Sequence, residues 1–195
     1  ACATDPAERN GNWCIEKGQV VKTDWLEFLT GFQPGDVFIK GANAIDSGGD
    51  VGILTGDPMG GTIGRAIGIL RSRGITPIIP VGLEKMIPSC REAEKTLGIF
   101  KDEYNLGMKV GFMALSNTYA ITEIEALKIL FGVDAVQAAA GGVGGMEGSV
   151  FLAVKCETEE QGLGLLEMVK QLNRTSPLKL NRNKCSHCNW PCHFR

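Results

Sequence analysis

Residues 38–64 read FIKGANAIDSGGDVGILTGDPMGGTIG, and the fold turns on how this stretch is organised. Two apolar runs, Val37-Phe38-Ile39 and Val51-Gly52-Ile53-Leu54, each break off in a turn rich in Gly, Asn and Asp. The second turn passes directly into a helical pattern, with Ile63, Ala66, Ile67 and Leu70 on one face and Gly74 closing it. Val51–Leu54 is continuously apolar, which marks a strand covered on both faces. In an open parallel sheet, ligands sit in the loops beyond the carboxyl ends of the strands. The turns Lys40–Asp46 and Gly56–Thr62 are therefore expected side by side at one edge of such a sheet. The linker 41–50 is short for that arrangement, since a parallel crossover takes about a dozen residues, and the alternative is that Val37 and Val51 belong to antiparallel or non-neighbouring strands.

Outward from this stretch, ITPIIPVG (75–82) is a third strand, edge or irregular because Pro77 and Pro80 lack amide donors. Ser89 with Glu92 caps a following helix that stops at Gly98. Strand and helix in alternation predict an α/β domain over 1–107, an open, mostly parallel sheet with crossover helices. Within it, Thr23 or Asp24 caps a short helix carrying Trp25, Leu26, Phe28 and Leu29. The rhythm changes near residue 108. MKVGFMAL, a helix capped by Thr122 and Glu125, AVQAAA, SVFLAVKC and a helix capped by Thr158 and Gln161 predict a ferredoxin-like βαββα unit over 108–174. Its strands AVQAAA and SVFLAV are expected to be adjacent and antiparallel, with Ile124, Leu127, Leu166 and Val169 buried. Residues 175–195 form a Cys/His-rich tail without periodicity.

The glycine turns carry the chemistry. Gly60 and Gly61 let backbone amides approach an anion, Thr62 adds a hydroxyl, and the helix that begins there points its positive end at the same place. The alternative is that these glycines only let helix and strand pack closely. In the first turn Lys40, Gly41, Asn43 and Asp46 offer a cation, open backbone, an amide and a carboxylate; Asn43 and Asp46 equally suit a turn of their own. Glu84 and Lys85, after the third strand, are the acid–base candidates with Asp46, or else a solvated surface pair. The Gly-rich GGVGGMEG between the two later strands is a wide hairpin or a second ligand loop.

The 36–64 stretch resembles the isomerase and CoA-transferase-like superfamily, which includes ribose-5-phosphate isomerase, glucosamine-6-phosphate deaminase and the family I CoA transferases. DVFIKGANAID followed by VGILTGDPMGGTIG is similar to the strand-and-turn pair that holds a sugar phosphate in the isomerases. With PVGLEKMIP and TEIEALKILFGVDA, the chain looks like a bacterial and archaeal branch of that fold. The resemblance implies a ligand crevice for a sugar-phosphate or CoA-ester type of metabolite. It does not carry the isomerase reaction, because Asn43 and Ala44 stand where the family's turn has carboxylates. Nor does a CoA-transferase nucleophile have a counterpart; Glu147 is the nearest acidic residue in a Gly-rich setting.

Seven Cys are scattered except for three in the tail, KCSHCNWPCHFR. Cys185, Cys188, Cys192 and His193 (or His187) have the donor chemistry for zinc or, with an outside ligand such as Cys156, an iron–sulfur cluster. A redox-active dithiol and an incidental tail are the alternatives. A non-catalytic metal- or redox-responsive module is thus the rival to a metabolite-binding protein. The sparse Cys elsewhere favour a reducing, cytoplasmic setting. A net charge of −2 gives no reason to expect nucleic acid, and no apolar run reaches the roughly 18 residues of a membrane span. A small anionic metabolite and a second copy of the chain are the partners expected. The first residues lack a Met and begin in mid-pattern, as expected of a fragment or processed form that lacks part of its N-terminal side.

Overall fold

The fold is that of a computed structural model describing residues 11–101, 103–176 and 192. In chain order its elements are β1 (Cys14–Glu16), β2 (Gln19–Val21), α1 (Trp25–Thr30), β3 (Ala44–Ile45), β4 (Val51–Thr55), α2 (Gly61–Ser72) and β5 (Ile78–Pro80). A 3-10 turn (Leu83–Lys85), α3 (Cys90–Thr96), β6 (Gly111–Leu115), β7 (Tyr119–Ile121) and α4 (Glu123–Phe131) follow. Then come β8 (Asp134–Ala140), β9 (Val150–Lys155) and α5 (Glu159–Arg174). The described residues make a mixed α/β protein with several small sheets.

Asp46 sets the topology around the decisive stretch. One oxygen of its buried carboxylate accepts from the amides of Gly48 (3.0 Å) and Asp50 (3.1 Å), and the other from Cys90 N (2.9 Å). The first two bonds wind 46–50 into a tight turn, so β3 and β4 form an antiparallel hairpin with Ala44 opposite Gly52 and Ile45 opposite Val51. Asn43 extends it, its amide donating to Gly52 O (2.7 Å) and its Oδ1 accepting from Leu54 N (2.9 Å). On the far side of β4, β6 also runs antiparallel, Val51 opposite Leu115. The mostly parallel sheet expected here is therefore corrected. Five residues closed by a carboxylate leave no room for a crossover.

Among the described residues the parallel strand pair is β5 with β7; isolated parallel bridges join Ile39 to Ile78 on the other side of β5, and Ile45 to Met86. The Val37–Ile39 run does not become a strand, and Pro80 explains why. Ile78 N donates to Phe38 O and Lys40 N to Ile78 O; the next rung would need an N–H from Pro80, which has none.

Core residues converge from both sides of the expected boundary. Ala42, Ile45, Val51, Ile53, Ile63, Ile79, Val81 and Leu115 form one cluster, and Leu29, Ala66, Leu70 and Ile75 a second between α1 and α2. The Phe112 ring lies over Gly52, where a Cβ would stand 2.0 Å from a ring carbon and would displace the ring. The β4–β6 and β5–β7 pairings cross residue 108, so the division at 107 does not separate two sheets.

Further along, β8 and β9 pair antiparallel with an irregularity between Gln137 and Ala139. Capping boxes start α4 (Thr122 and Glu125) and α5 (Thr158 and Gln161). Leu127 is buried, but Leu166 and Val169 are 57% and 41% exposed, and α5 has no buried residue. Two strands make too narrow a platform to cover both helices. The burial expected of Leu166 and Val169 is corrected accordingly.

Candidate functional site

A cavity of about 870 Å³ opens between the end of β4, the start of α2, Lys40, and the pairs Ile99-Phe100 and Met108-Lys109. Its polar lining includes Lys40, Asp57, Gly60, Gly61, Thr62 and Lys109; its apolar walls include Ile53, Leu54, Ile63, Ile99, Phe100 and Met108. Lys40 and Thr62 also line a second, neighbouring cavity of about 320 Å³. The volume falls in the range typical of small-molecule sites.

The sequence builds this wall in steps. Strand β4 ends at Thr55, and Asp57 turns the chain, its Oδ1 accepting from Met59 N (2.9 Å) and its C=O from Gly60 N (2.8 Å). Gly60 and Gly61 both have positive φ, 78° and 61°, a conformation glycine adopts without strain. Their roles differ. A Cβ at Gly60 would come 2.9 Å from the Gly64 Cα, so Gly60 serves close packing of the turn against the helix. A Cβ at Gly61 would meet nothing within 4 Å. Gly61 therefore puts bare backbone against open space, at a helix start that no side chain caps. An anion there would meet the first amides of α2 and the positive end of its dipole.

Lys40 reaches the cavity from the segment before β3. It is half-buried, its Nζ donates to Gly41 O (3.1 Å), and it has no ion pair among the described residues. Burial holds its ammonium below the ordinary lysine range, because a desolvated cation is disfavoured. The carboxylate in the lining, Asp57, is paired with Arg65 at 3.4 Å, which offsets its repulsion of an anionic ligand.

The structure thus brings Lys40, Gly60, Gly61 and Thr62 to one cavity and leaves Gly41, Asn43, Asp46, Glu84 and Lys85 outside its lining. Gly41 contributes its carbonyl to Lys40, and Asn43 is committed to the β3–β4 hairpin. Asp46 is committed to three backbone amides, which hold its carboxyl below the usual range, the Cys90 amide foremost. Cys90, buried against Asp46 and Asp50, is pushed up to about 11 by desolvation and is an inert thiol. Glu84 and Lys85 sit in the 3-10 turn, 3.7 Å apart, both more than one-third exposed. Their geometry is that of a surface pair. In the hairpin after β8, the Glu147 carboxylate accepts from Gly144 N (3.1 Å) and Gly145 N (2.8 Å) and so closes its own loop.

Sequence reasoning missed Ile99, Phe100, Met108 and Lys109. Ile99 and Phe100 lie in an aperiodic stretch after α3, and Met108 and Lys109 open the run MKVGFMAL, of which Gly111–Leu115 forms β6. Gly56 brings the segment close, with a Cβ there falling 2.7 Å from the Met108 methyl.

Of the tail ligands, Cys185, Cys188 and His193 lie outside the described residues. Cys192 is described, and its Sγ accepts from Gly107 N at 3.2 Å. Among the described residues no group of three or more His, Cys, Asp or Glu is arranged to hold a metal ion, and no helix is long and apolar enough to cross a membrane. Comparison with known proteins finds no family model, no curated protein and no solved structure that matches the chain.

Proposed function

We propose that the cavity at the start of α2 binds a small metabolite carrying a phosphate or carboxylate, in a protein related to the isomerase and CoA-transferase-like group. The observation that carries this reading is Gly61. Its positive φ and the open space on its Cβ side expose uncapped helix amides to a cavity that a half-buried lysine also lines. Close packing accounts for Gly60 but not for Gly61. Lys40 supplies an amine donor, Thr62 a hydroxyl donor, and the apolar walls exclude water from the body of the ligand.

A thermal-shift screen of sugar phosphates, nucleotides, acyl-CoA compounds and aryl phosphates, each beside its unphosphorylated counterpart, tests it. Selective binding to the folded state raises the midpoint. At least one anionic compound is expected to do so, and Gly61→Asn, which tolerates the left-handed backbone while filling the space, is expected to weaken it about tenfold, or ~1.4 kcal/mol. A screen without anion-dependent shifts, or equal affinity in Gly61→Asn, overturns the reading.

A further inference from the structure

We propose that Lys40 is a nucleophile that forms an imine with the carbonyl group of an aldehyde or ketone bearing the anionic group held at α2. This rests on the anion-binding reading above and gives its ligand a second functional group.

The geometry differs from that of an ordinary binding lysine. A lysine that only neutralises an anion works best as a hydrated, mobile ammonium at the rim. Lys40 instead lies half-buried in the lining of two adjoining cavities, sharing both with Thr62. The carboxylate in the main cavity is turned to Arg65, and among the described residues no ion pair holds Lys40. Among the described residues its Nζ has one hydrogen bond, to the backbone carbonyl of Gly41, which accepts equally from a neutral amine. Burial lowers the proton affinity in the same direction. Desolvation of this kind is how lysine side chains are activated for attack on carbonyls. Lys109 is the other lysine in the lining of the main cavity.

The step balances without an oxidant or reductant. The neutral Nζ attacks the carbonyl carbon, an N–C bond forms, and the C–O π pair passes to oxygen. One proton passes from nitrogen to that oxygen through solvent to give the carbinolamine. A second protonates its hydroxyl as the nitrogen lone pair forms the C=N bond, the C–O bond breaks, and water leaves. Amine plus carbonyl gives imine plus water.

The experiment treats the full chain with equimolar pyridoxal 5′-phosphate and cyanoborohydride, then locates the reduced adduct by peptide mass spectrometry. Pyridoxal without phosphate and phenyl phosphate without an aldehyde are the controls. Labelling is expected at Lys40, about tenfold faster with the phosphate than without it, and slowed by excess phenyl phosphate. The Lys40→Arg chain, with its fold checked by circular dichroism, should lose the fast label. Label spread over surface lysines, or concentrated on Lys109, overturns the imine while a phenyl phosphate shift leaves the anion site standing. Absence of both the label and that shift overturns the anion site as well.

Discussion

The region around β4 and the unit that ends in α5 are built from the same local signals and reach opposite degrees of burial. Around β4, Val51, Ile79, Leu70 and Cys90 are each 0% exposed, and Asp46 ties the hairpin to α3 from inside. In α5, Leu163, Leu166, Val169 and Leu172 are all more than 40% exposed, although its capping box is complete. Capping decides where a helix starts; the neighbours in space decide whether its apolar face is used. Stability should therefore reside in the first region, with the second adding little.

Replacing Ile79 by Ala tests the first half of this comparison. Ile79 is wholly buried between β7 and the core cluster, so urea unfolding should show a loss of about 2–5 kcal/mol, the transfer loss plus the cavity left behind. A loss below about 1 kcal/mol would mean that this core is loosely packed.

Asp46→Asn should have the next largest effect, about 1–3 kcal/mol, since an amide NH2 turned toward the Cys90 or Gly48 amides donates where an acceptor is needed. The pH dependence has a definite sign. The folded-state pKa lies below the unfolded value of about 3.9, so the aspartate contributes fully above that value and progressively less as pH falls through the folded pKa. The stability gap between wild type and Asp46→Asn should be constant near neutrality and narrow below about pH 4. A gap independent of pH would remove the charge from the account.

Leu166→Ala should change stability by no more than about 0.5 kcal/mol in the isolated chain, because the side chain is already 57% exposed. A loss several times larger, measured by the same unfolding curves across protein concentrations, would show that the α5 face is covered by something in solution.

The same contrast explains what was readable in advance. Asp24, Ser89, Thr122 and Thr158 cap helices where the local pattern places them, and the buried face of α2 (Ile63, Ala66, Leu70) follows its spacing. Pairing direction was not readable from apolar runs, because Val51–Leu54 suits a central strand of either sense; the side chain that decides it, Asp46, resembles any polar turn residue until its three amides are in view. Likewise Lys40 and Gly60–Thr62 announce themselves by composition. Phe100, Met108 and Lys109 reach the cavity only through the path of the chain after α3. The missed burial of α5 has a related cause, since a helical pattern records an apolar face without recording what meets it.

The most direct test of the central claim is a titration of the 15N-labelled chain with phenyl phosphate, followed by amide chemical shifts. Binding at the start of α2 predicts saturable shifts concentrated at Gly61, Thr62 and Ile63, diminished in Thr62→Ala and Lys40→Met. Shifts scattered over surface lysines, or none at these three amides at concentrations that saturate a thermal shift, would contradict the anion cradle.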